Sequence, residues 1–411
     1  MNFEYFIAKR IISTRDYKNS ISAPIIKIAI VSIAIGFITM LISIATGVGL
    51  QKKIHEKVSA FNGDIIISNY DTNFSNDSQN SISIHQDFYP DFKNVEGIKH
   101  MQVTASRGGI IRTATDFEGI VVKGVGKDYD WHFFSEFLVE GRLPNYTDAI
   151  NEEIIISEYL VNRLNLKIGD KITTFFIGKD SSKPPRSRGF DIVGIYNSGF
   201  LDFDSTFVIA DIRHIQRLNK WKEDEVGSFE IFVEDFNDIE NIGNQVYEET
   251  SSLLDSQTIQ EKYYSIFKWL ELFDFNIILI IGIMILVAGI NMITALLVLI
   301  LERTQMIGIL KALGSSDKIV RKIFFYNAMY LIIKGLFWGN LIGIGLLLAQ
   351  KYFKLIKLDP SVYYVTEAPV YLDINYILLL NLGTFILCMV MLILPSFIIS
   401  KISPIKAMRF A

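Results

Sequence analysis

The residues that most often carry out chemistry are scattered along this chain of 411 residues. Its five histidines form no H-x-x-H or H-E-x-x-H motif, so their spacing predicts no metal site. KGVGKDYD (123–130) faintly resembles a phosphate-binding loop, but Val121 occupies the position of the first glycine and Asp128 follows the lysine. We therefore interpret it as a tight turn between strands. We expect no catalytic residue, ATP-binding motif, cofactor or metal, so any energy for work comes from another subunit.

One loop differs in charge from the long segment around it. Residues 51–276 contain 23 Lys and Arg against 37 Asp and Glu, and this acidic balance argues against a nucleic-acid partner. Within them, GKDSSKPPRSRG (178–189) has four basic residues against one acidic residue, and its two prolines restrict the backbone. The loop is either a solvated tip or a rigid basic finger offered to an acidic partner. The candidate binding residues are Lys183, Pro184, Pro185, Arg186 and Arg188.

Four other stretches are nearly free of charge, and each has the ~20 residues that a helix needs to cross a bilayer. Lys and Arg concentrate in three flanking segments, which the positive-inside rule places in the cytoplasm. The sequence therefore predicts an α-helical membrane protein with four transmembrane helices and a large α+β domain outside, inserted between helices 1 and 2. The predicted segments are a cytoplasmic amphipathic N-terminal segment (1–27), helix 1 (28–50), the outer α+β domain with stalk helices at both ends (51–276), helix 2 (277–301), a cytoplasmic helical loop (302–322), helix 3 (323–350), an outer loop (351–375), helix 4 (376–399) and a cytoplasmic tail (400–411).

The outer segment has strand and helix signals at both ends. GDIIISNY near its start predicts a strand, and SFEIFVEDFNDIENIGNQVYEE near its end predicts a strand followed by a helix. In the strand-rich insert between them, KIGDKI predicts a turn from helix to strand, with Gly169 supplying backbone freedom. The stalk stripe Leu50, Ile54 and Val58 is predicted to face Phe267, Leu270 and Phe273.

The third predicted span contains a lysine beside a row of glycines. GLFWGNLIG (335–343) places glycines four residues apart, which favours close helix packing. Lys334 is costly at that depth, so we expect it to face the protein or to snorkel. Asn291 or Asn381 is the expected neutral partner.

A short amphipathic segment, ERTQMIGILKALGSSDKIV (302–320), separates the second and third predicted spans. Its apolar side is formed by Met306, Leu310 and Leu313. Gly314 suits the C-cap of this helix, and Asp317 suits the first turn of the next. Two residues suffice to join two spans, so a capped helix at the cytoplasmic face indicates a docking partner. The alternative is a plain interfacial connector.

The same segment resembles the cytoplasmic segment of FtsX-like ABC-transporter permeases, and SPIKAMRF resembles the family's P-x-x-A-L-R ending. The resemblance implies a coupling helix that is seated in a separate ATPase subunit. The implied coupling residues are Glu302, Arg303, Met306, Ile307, Gly308, Leu310, Lys311, Leu313 and Gly314.

Within this superfamily the chain resembles the LolC/LolE-type lipoprotein-releasing permeases, in MNFEYFIAKR and in VGLQKKIHEKVSAFNGDIII. The resemblance implies a permease subunit, not itself an enzyme, in the bacterial inner membrane with its large domain in the periplasm. The implied partners are an ABC ATPase dimer, a second identical or homologous permease, a periplasmic lipoprotein chaperone gripped by the 178–189 loop, and triacylated lipoproteins. The implied lipid cavity is lined by Ile44, Val48, Leu50, Ile54, Phe267, Leu270, Phe273 and Ile277.

Other assignments remain open within the superfamily. The resemblance does not distinguish a LolC-like role from a LolE-like role or a hybrid of the two. Alternatively, it is an FtsX-like or MacB-like permease that exports peptides or drugs, or a non-transporting mechanotransmitter that activates periplasmic wall hydrolases.

Overall fold

A computed structural model describes residues 3–13, 22–71, 79–147, 149–176 and 184–401. The chain forms two compact units. The helical unit comprises Met1–Gln51, Leu270–Lys357 and Glu367–Ala411, and the sheet unit comprises Lys52–Trp269 and Leu358–Thr366.

The helices and strands follow one another along the chain with a single large group of strands between the first two long helices. The helices are α1 (Phe3–Ser13), α2 (Ser22–Asn62), α3 (His132–Phe137), α4 (Glu158–Leu164), α5 (Leu201–Asp204), α6 (Ile212–Asn219), α7 (Ile239–Glu249), α8 (Ile259–Lys262), α9 (Tyr264–Glu302), α10 (Thr304–Ala312), α11 (Asp317–Phe353), α12 (Pro360–Tyr363), α13 (Ile374–Met391), α14 (Ile393–Ser396) and α15 (Ile398–Lys401). The strands are β1 (Ile65–Asn69), β2 (Ile82–Ser83), β3 (Ile98–Arg112), β4 (Phe117–Val125), β5 (Leu138–Gly141), β6 (Glu153–Ser157), β7 (Lys171–Phe176), β8 (Arg186–Tyr196), β9 (Phe207–Asp211), β10 (Glu225–Val226), β11 (Ser228–Val233) and β12 (Leu254–Thr258).

Four helices in the described part of the chain, α2, α9, α11 and α13, are long and apolar enough to cross a membrane. The first two extend beyond the predicted spans, because α2 continues unbroken to Asn62 and α9 begins at Tyr264. The helical stretch that corresponds to the predicted helix 4 (376–399) is divided in the structure. Helix α13 ends at Met391, and two short helices follow it. The physical reason is Pro395, which lacks an N–H and clashes with the carbonyl four residues earlier, that of Met391.

The glycine row of α11 packs directly on α2. A Cβ added to any of these glycines would meet a side chain of α2 within 2.7–3.1 Å. Gly335 meets Ile33, Gly339 meets Phe37, and Gly343 meets Leu41. The predicted close packing is therefore confirmed, and it rests on matching four-residue spacing in both helices.

Lys334 lies beside this row, and its side chain is exposed. Its Nζ lies 4.5 Å from the centre of the Tyr330 ring, at cation–π distance. The prediction that Asn291 or Asn381 is its partner was wrong, because hydrogen bonds to other helices engage both amides. The pairs are Asn340 with Asn381, at 2.7 and 3.1 Å, and Asn291 with Ser32, at 2.5 Å.

The sheet unit contains a ten-stranded mixed sheet in the order β12-β1-β11-β3-β4-β9-β6-β8-β5, with β7 pairing with both β3 and β8. Strands β1 and β11, from the two ends of the outer segment, pair antiparallel as neighbours, so the predicted α+β layer is confirmed. Gly169 has φ +87° between α4 and β7, as predicted. The stretch 123–130 instead joins β4 to the short helix α3, so the predicted turn between two strands was wrong.

Candidate functional site

The segment between α9 and α11 forms the short capped helix that its sequence predicts. Helix α10 has nine residues, and Gly314 follows it with φ +93° in the left-handed region. The N–H of Ser315 donates to the Leu310 carbonyl at 3.0 Å, and that of Gly314 donates to the Lys311 carbonyl at 3.0 Å, a Schellman-type ending. Helix α11 then begins at once, with Asp317 in its first turn. A rigid turn therefore joins α10 to a single helix of 37 residues.

The predicted apolar side of α10 does not lie on one face of the helix: Met306 and Leu310 are partly buried, whereas Leu313 is exposed. Ile307 and Gly308 are buried, and Met306 and Leu310 pack partly buried against the helical core and against Ile323. The exposed side contains Gln305, Ile309 at 46% exposure and, just past the helix end, Leu313 at 80%. Four of the nine implied coupling residues therefore face the protein. The apolar surface presented outward is Ile309 with Leu313, here called the outer face of α10.

Lys311 is held by its own chain. Its Nζ lies 2.9 Å from an Asp317 carboxylate oxygen and donates to the Ile399 carbonyl at 2.7 Å. The hydrogen bond from Lys311 lowers the pKa of the Asp317 carboxyl. Arg303 is half-buried, whereas Glu302 and Gly314 are exposed. Lys311 thus fastens the start of α11 and the end of α10 to the last described residues of the chain.

The basic loop connects the two strands of a β-hairpin. Strands β7 and β8 pair antiparallel from Lys171↔Asp191 to Phe176↔Arg186, so the described residues on both sides of the loop belong to one hairpin. Pro184 and Pro185 are exposed, whereas Lys183 lies outside the described residues. Arg186 donates to the Leu218 carbonyl at 2.5 Å, and Arg188 donates to the adjacent Ser187 carbonyl at 3.2 Å. The two described arginines therefore have partners at the base of the loop.

Each of the eight residues expected to line a lipid cavity is partly or fully buried. Leu50, Ile54 and Leu270 are buried, and the others are half-buried. At the end of the helical unit, α2 and α9 touch, because the Ile277 side chain lies within 2.4 Å of the Cβ position of Gly47. Gln51 on α2 donates to Asp274 on α9 at 2.8 Å. At this level α2 and α9 are therefore in direct contact.

Sequence reasoning missed a contact of Tyr364, in the segment between α11 and α13. Its ring stacks on Phe200 with the ring centres 4.5 Å apart, and lies edge-on to Trp269 at 5.8 Å. Its carbonyl accepts a hydrogen bond from Lys57 at 3.0 Å. Its φ of +58° is unfavourable for a residue with a Cβ, so the surroundings hold a strained backbone. The sequence signal, two adjacent tyrosines in a loop, is weak.

A buried ion pair was also missed. Lys123 Nζ lies 2.6 Å from a Glu230 carboxylate oxygen and donates to the Phe61 carbonyl at 2.6 Å. Glu230 also accepts hydrogen bonds from Gln102 and Thr104, at 2.9 and 3.1 Å. Burial lowers the pKa of Lys123, and the Glu230 carboxylate opposes that shift. This network ties the end of α2 to the centre of the sheet. The sequence feature that indicates this ion pair is the single lysine in the apolar strand EGIVVKGV.

The apolar helices and the mixed-sheet domain define a membrane permease with a periplasmic domain, and the comparisons agree. Residues 28–248 match the MacB-like periplasmic core domain and residues 278–404 match the FtsX-like permease C-terminal domain. The first match covers more than half of the chain, which therefore belongs to the family of MacB-like and FtsX-like ABC-transporter permeases.

Two relatives that match nearly the whole length of this chain have more specific names. The chain is 23% identical to the lipoprotein-releasing system transmembrane protein LolC of Neisseria meningitidis serogroup B, over 96% of both chains. It is 19% identical to LolE of Haemophilus influenzae over 99% of both. The match to the solved periplasmic region of MacB from Actinobacillus actinomycetemcomitans covers 49% of this chain and 91% of that region, at 15% identity. Its TM-score of 0.34 is too low to support an inference.

Proposed function

We propose that this permease extracts lipoproteins from the bacterial inner membrane and passes them to a periplasmic chaperone, using the energy of a separate ABC ATPase. The observation that carries the proposal is the similarity to LolC along 96% of both chains, which includes the spans, the outer domain and the coupling segment. Residues 302–322 and both ends of the chain then lie in the cytoplasm, and residues 51–276 and 351–375 lie in the periplasm.

In this proposal the outer face of α10 docks on the ATPase. Ile309 and Leu313 offer exposed apolar area on a helix whose other side is buried in the helical core. The rigid turn at Gly314 transmits a displacement of α10 to the long helix α11. A second permease subunit completes the complex. The nine implied coupling residues thus divide into those that seat α10 and those that touch the ATPase.

The test is depletion of the protein in its own host, followed by separation of inner and outer membranes. We expect lipoproteins to accumulate in the inner membrane, and wild-type protein to restore their export. Leu313→Arg should not restore it, because the charge lies on the outer face of α10. If lipoproteins still reach the outer membrane while a peptide or drug is retained, the chain is an exporter instead.

The entry route is tested by a photo-crosslinker at Val48, which lies near the junction of α2 and α9. It should capture lipoprotein during turnover, when the helices separate, and capture should fall when ATP is withheld. The control is a crosslinker at Leu387, an exposed residue of α13. Equal capture at both positions argues against a cavity lined by the eight residues named above.

The 178–189 loop is the proposed contact for the chaperone. The hairpin of β7 and β8 supports it, and the exposed prolines limit the backbone entropy that is lost on docking. Deleting 181–187 should abolish chaperone binding and leave ATPase activity intact. Normal chaperone binding by this variant would assign the contact to the partner permease.

A further inference from the structure

A group of apolar side chains is exposed where α11 ends. These four large apolar side chains, within five positions, are 58–74% exposed. They are Tyr352, Phe353, Leu355 and Ile356. Three exposed lysines alternate with them, namely Lys351, Lys354 and Lys357. Residues 351–357, here called the basic collar, therefore combine apolar area with positive charge.

Hydrogen bonds hold the backbone of the collar in place. The Gln350 side chain is buried; it donates to the carbonyls of Ile356 and Ala368, at 3.2 and 3.1 Å, and accepts from the Ile356 N–H at 2.9 Å. The N–H of Ala368 donates to the Ile356 carbonyl at 3.0 Å. Lys354 caps α11 with φ +50°. These hydrogen bonds thus give the collar a defined backbone conformation, in which its apolar side chains are exposed.

The charge of the collar is unbalanced. Residues 350–358 contain three lysines and no acidic residue. Lys354 Nζ lies 2.8 Å from Glu367, so one of the three charges is shared within the protein. Two ammonium groups remain beside an apolar surface that continues directly from a helix apolar enough to span a membrane. A second copy of the chain on this surface would bring like charges together, which disfavours that occupant.

We propose that the basic collar binds anionic phospholipid in the leaflet where α11 ends. The apolar side chains enter the headgroup–acyl boundary, where aromatic residues favour the interface. The lysines contact the lipid phosphates by electrostatic attraction, which acts within about a Debye length of the surface. The collar would thereby fix the depth of α11 in the bilayer. This inference does not depend on which cargo the permease moves.

The test uses the full chain in nanodiscs of phosphatidylcholine with about one-fifth phosphatidylglycerol, and a photo-crosslinker at Phe353. We expect capture of phosphatidylglycerol well above its share of the bilayer. A lysine near an anionic surface contributes roughly fivefold in affinity. The double variant Lys351→Gln, Lys357→Gln should therefore lower the affinity for phosphatidylglycerol relative to phosphatidylcholine about 25-fold, so that capture at Phe353 approaches the share of each lipid in the bilayer. Added salt should lower it as well.

Two controls separate lipid recognition from simple proximity. A crosslinker at Leu341, exposed in the middle of α11, should capture both lipids in proportion to their amounts. Glu367→Gln should raise the enrichment at Phe353, because it releases the charge of Lys354, and a purely structural role would not produce this gain. Proportional capture at Phe353, or capture of a second copy of the chain instead of lipid, would overturn the proposal.

Discussion

Replacing Tyr364 with alanine should release the segment 358–366 from the rest of the sheet unit. The change removes the ring contacts with Phe200 and Trp269, and each such aromatic pair contributes about 0.5–1.5 kcal/mol beyond its buried area. The hydrogen bond from Lys57 to the backbone carbonyl of residue 364 can remain. The two ring pairs alone account for about 1–3 kcal/mol, before the lost buried area is added, which corresponds to at least roughly 5- to 150-fold more frequent opening.

Hydrogen exchange of the segment 358–366, measured by mass spectrometry in nanodiscs, reports this opening directly. The matched control is Tyr363→Ala, whose ring is exposed, and we expect little change in exchange from it. Tyr364→Gly should open about 1 kcal/mol less readily than Tyr364→Ala, because glycine adopts φ +58° without strain. Wild-type exchange in Tyr364→Ala, or a glycine variant looser than the alanine variant, would refute the reasoning.

Three further predictions concern the helical core, the outer face of α10 and the buried ion pair. Leu313→Asp should leave thermal stability in detergent unchanged but weaken co-purification with the ATPase at least tenfold; wild-type binding would remove this residue from the interface. Gly339→Leu should lower stability by about 1–3 kcal/mol or more through overpacking, whereas Gly345→Leu, whose Cβ position is open among the described residues, should be tolerated. Lys123→Met should lower the free energy of unfolding in denaturant by about 3–5 kcal/mol, because it leaves Glu230 buried without its cation. The double variant Lys123→Met, Glu230→Leu should recover most of this loss; equal losses in both variants would contradict the prediction.

The sequence predicts well whatever depends on local pattern. Long apolar runs located the spanning helices, and the apolar spacing beyond residue 50 predicted that α2 continues as a stalk. The glycine row predicted close packing because only a small residue admits a neighbouring helix at that distance. The turn at Gly314 followed from the left-handed geometry that glycine favours. Pro395 was an equally local signal that the fourth helix is interrupted. The apolar run continues past Pro395, however, so its length alone predicted a single helix.

What depends on distant partners was not predictable. Helix α10 has apolar residues on more than one side, so its spacing alone did not show that Met306 and Leu310 face the protein. Lys123 and Glu230 are separated by 107 positions, and only the order of strands brings them together. Tyr364 is likewise positioned by residues from three other segments. These features require the tertiary fold.

The most direct test of the proposed function is lipoprotein release from proteoliposomes that contain the permease with its ATPase and partner subunit. With ATP and the soluble chaperone present, triacylated lipoprotein should leave the membrane and appear in a soluble complex with the chaperone. The Leu313→Asp variant should release none, although it inserts normally. ATP hydrolysis by the intact complex with no lipoprotein transferred to the chaperone would contradict the proposal that this permease extracts lipoproteins.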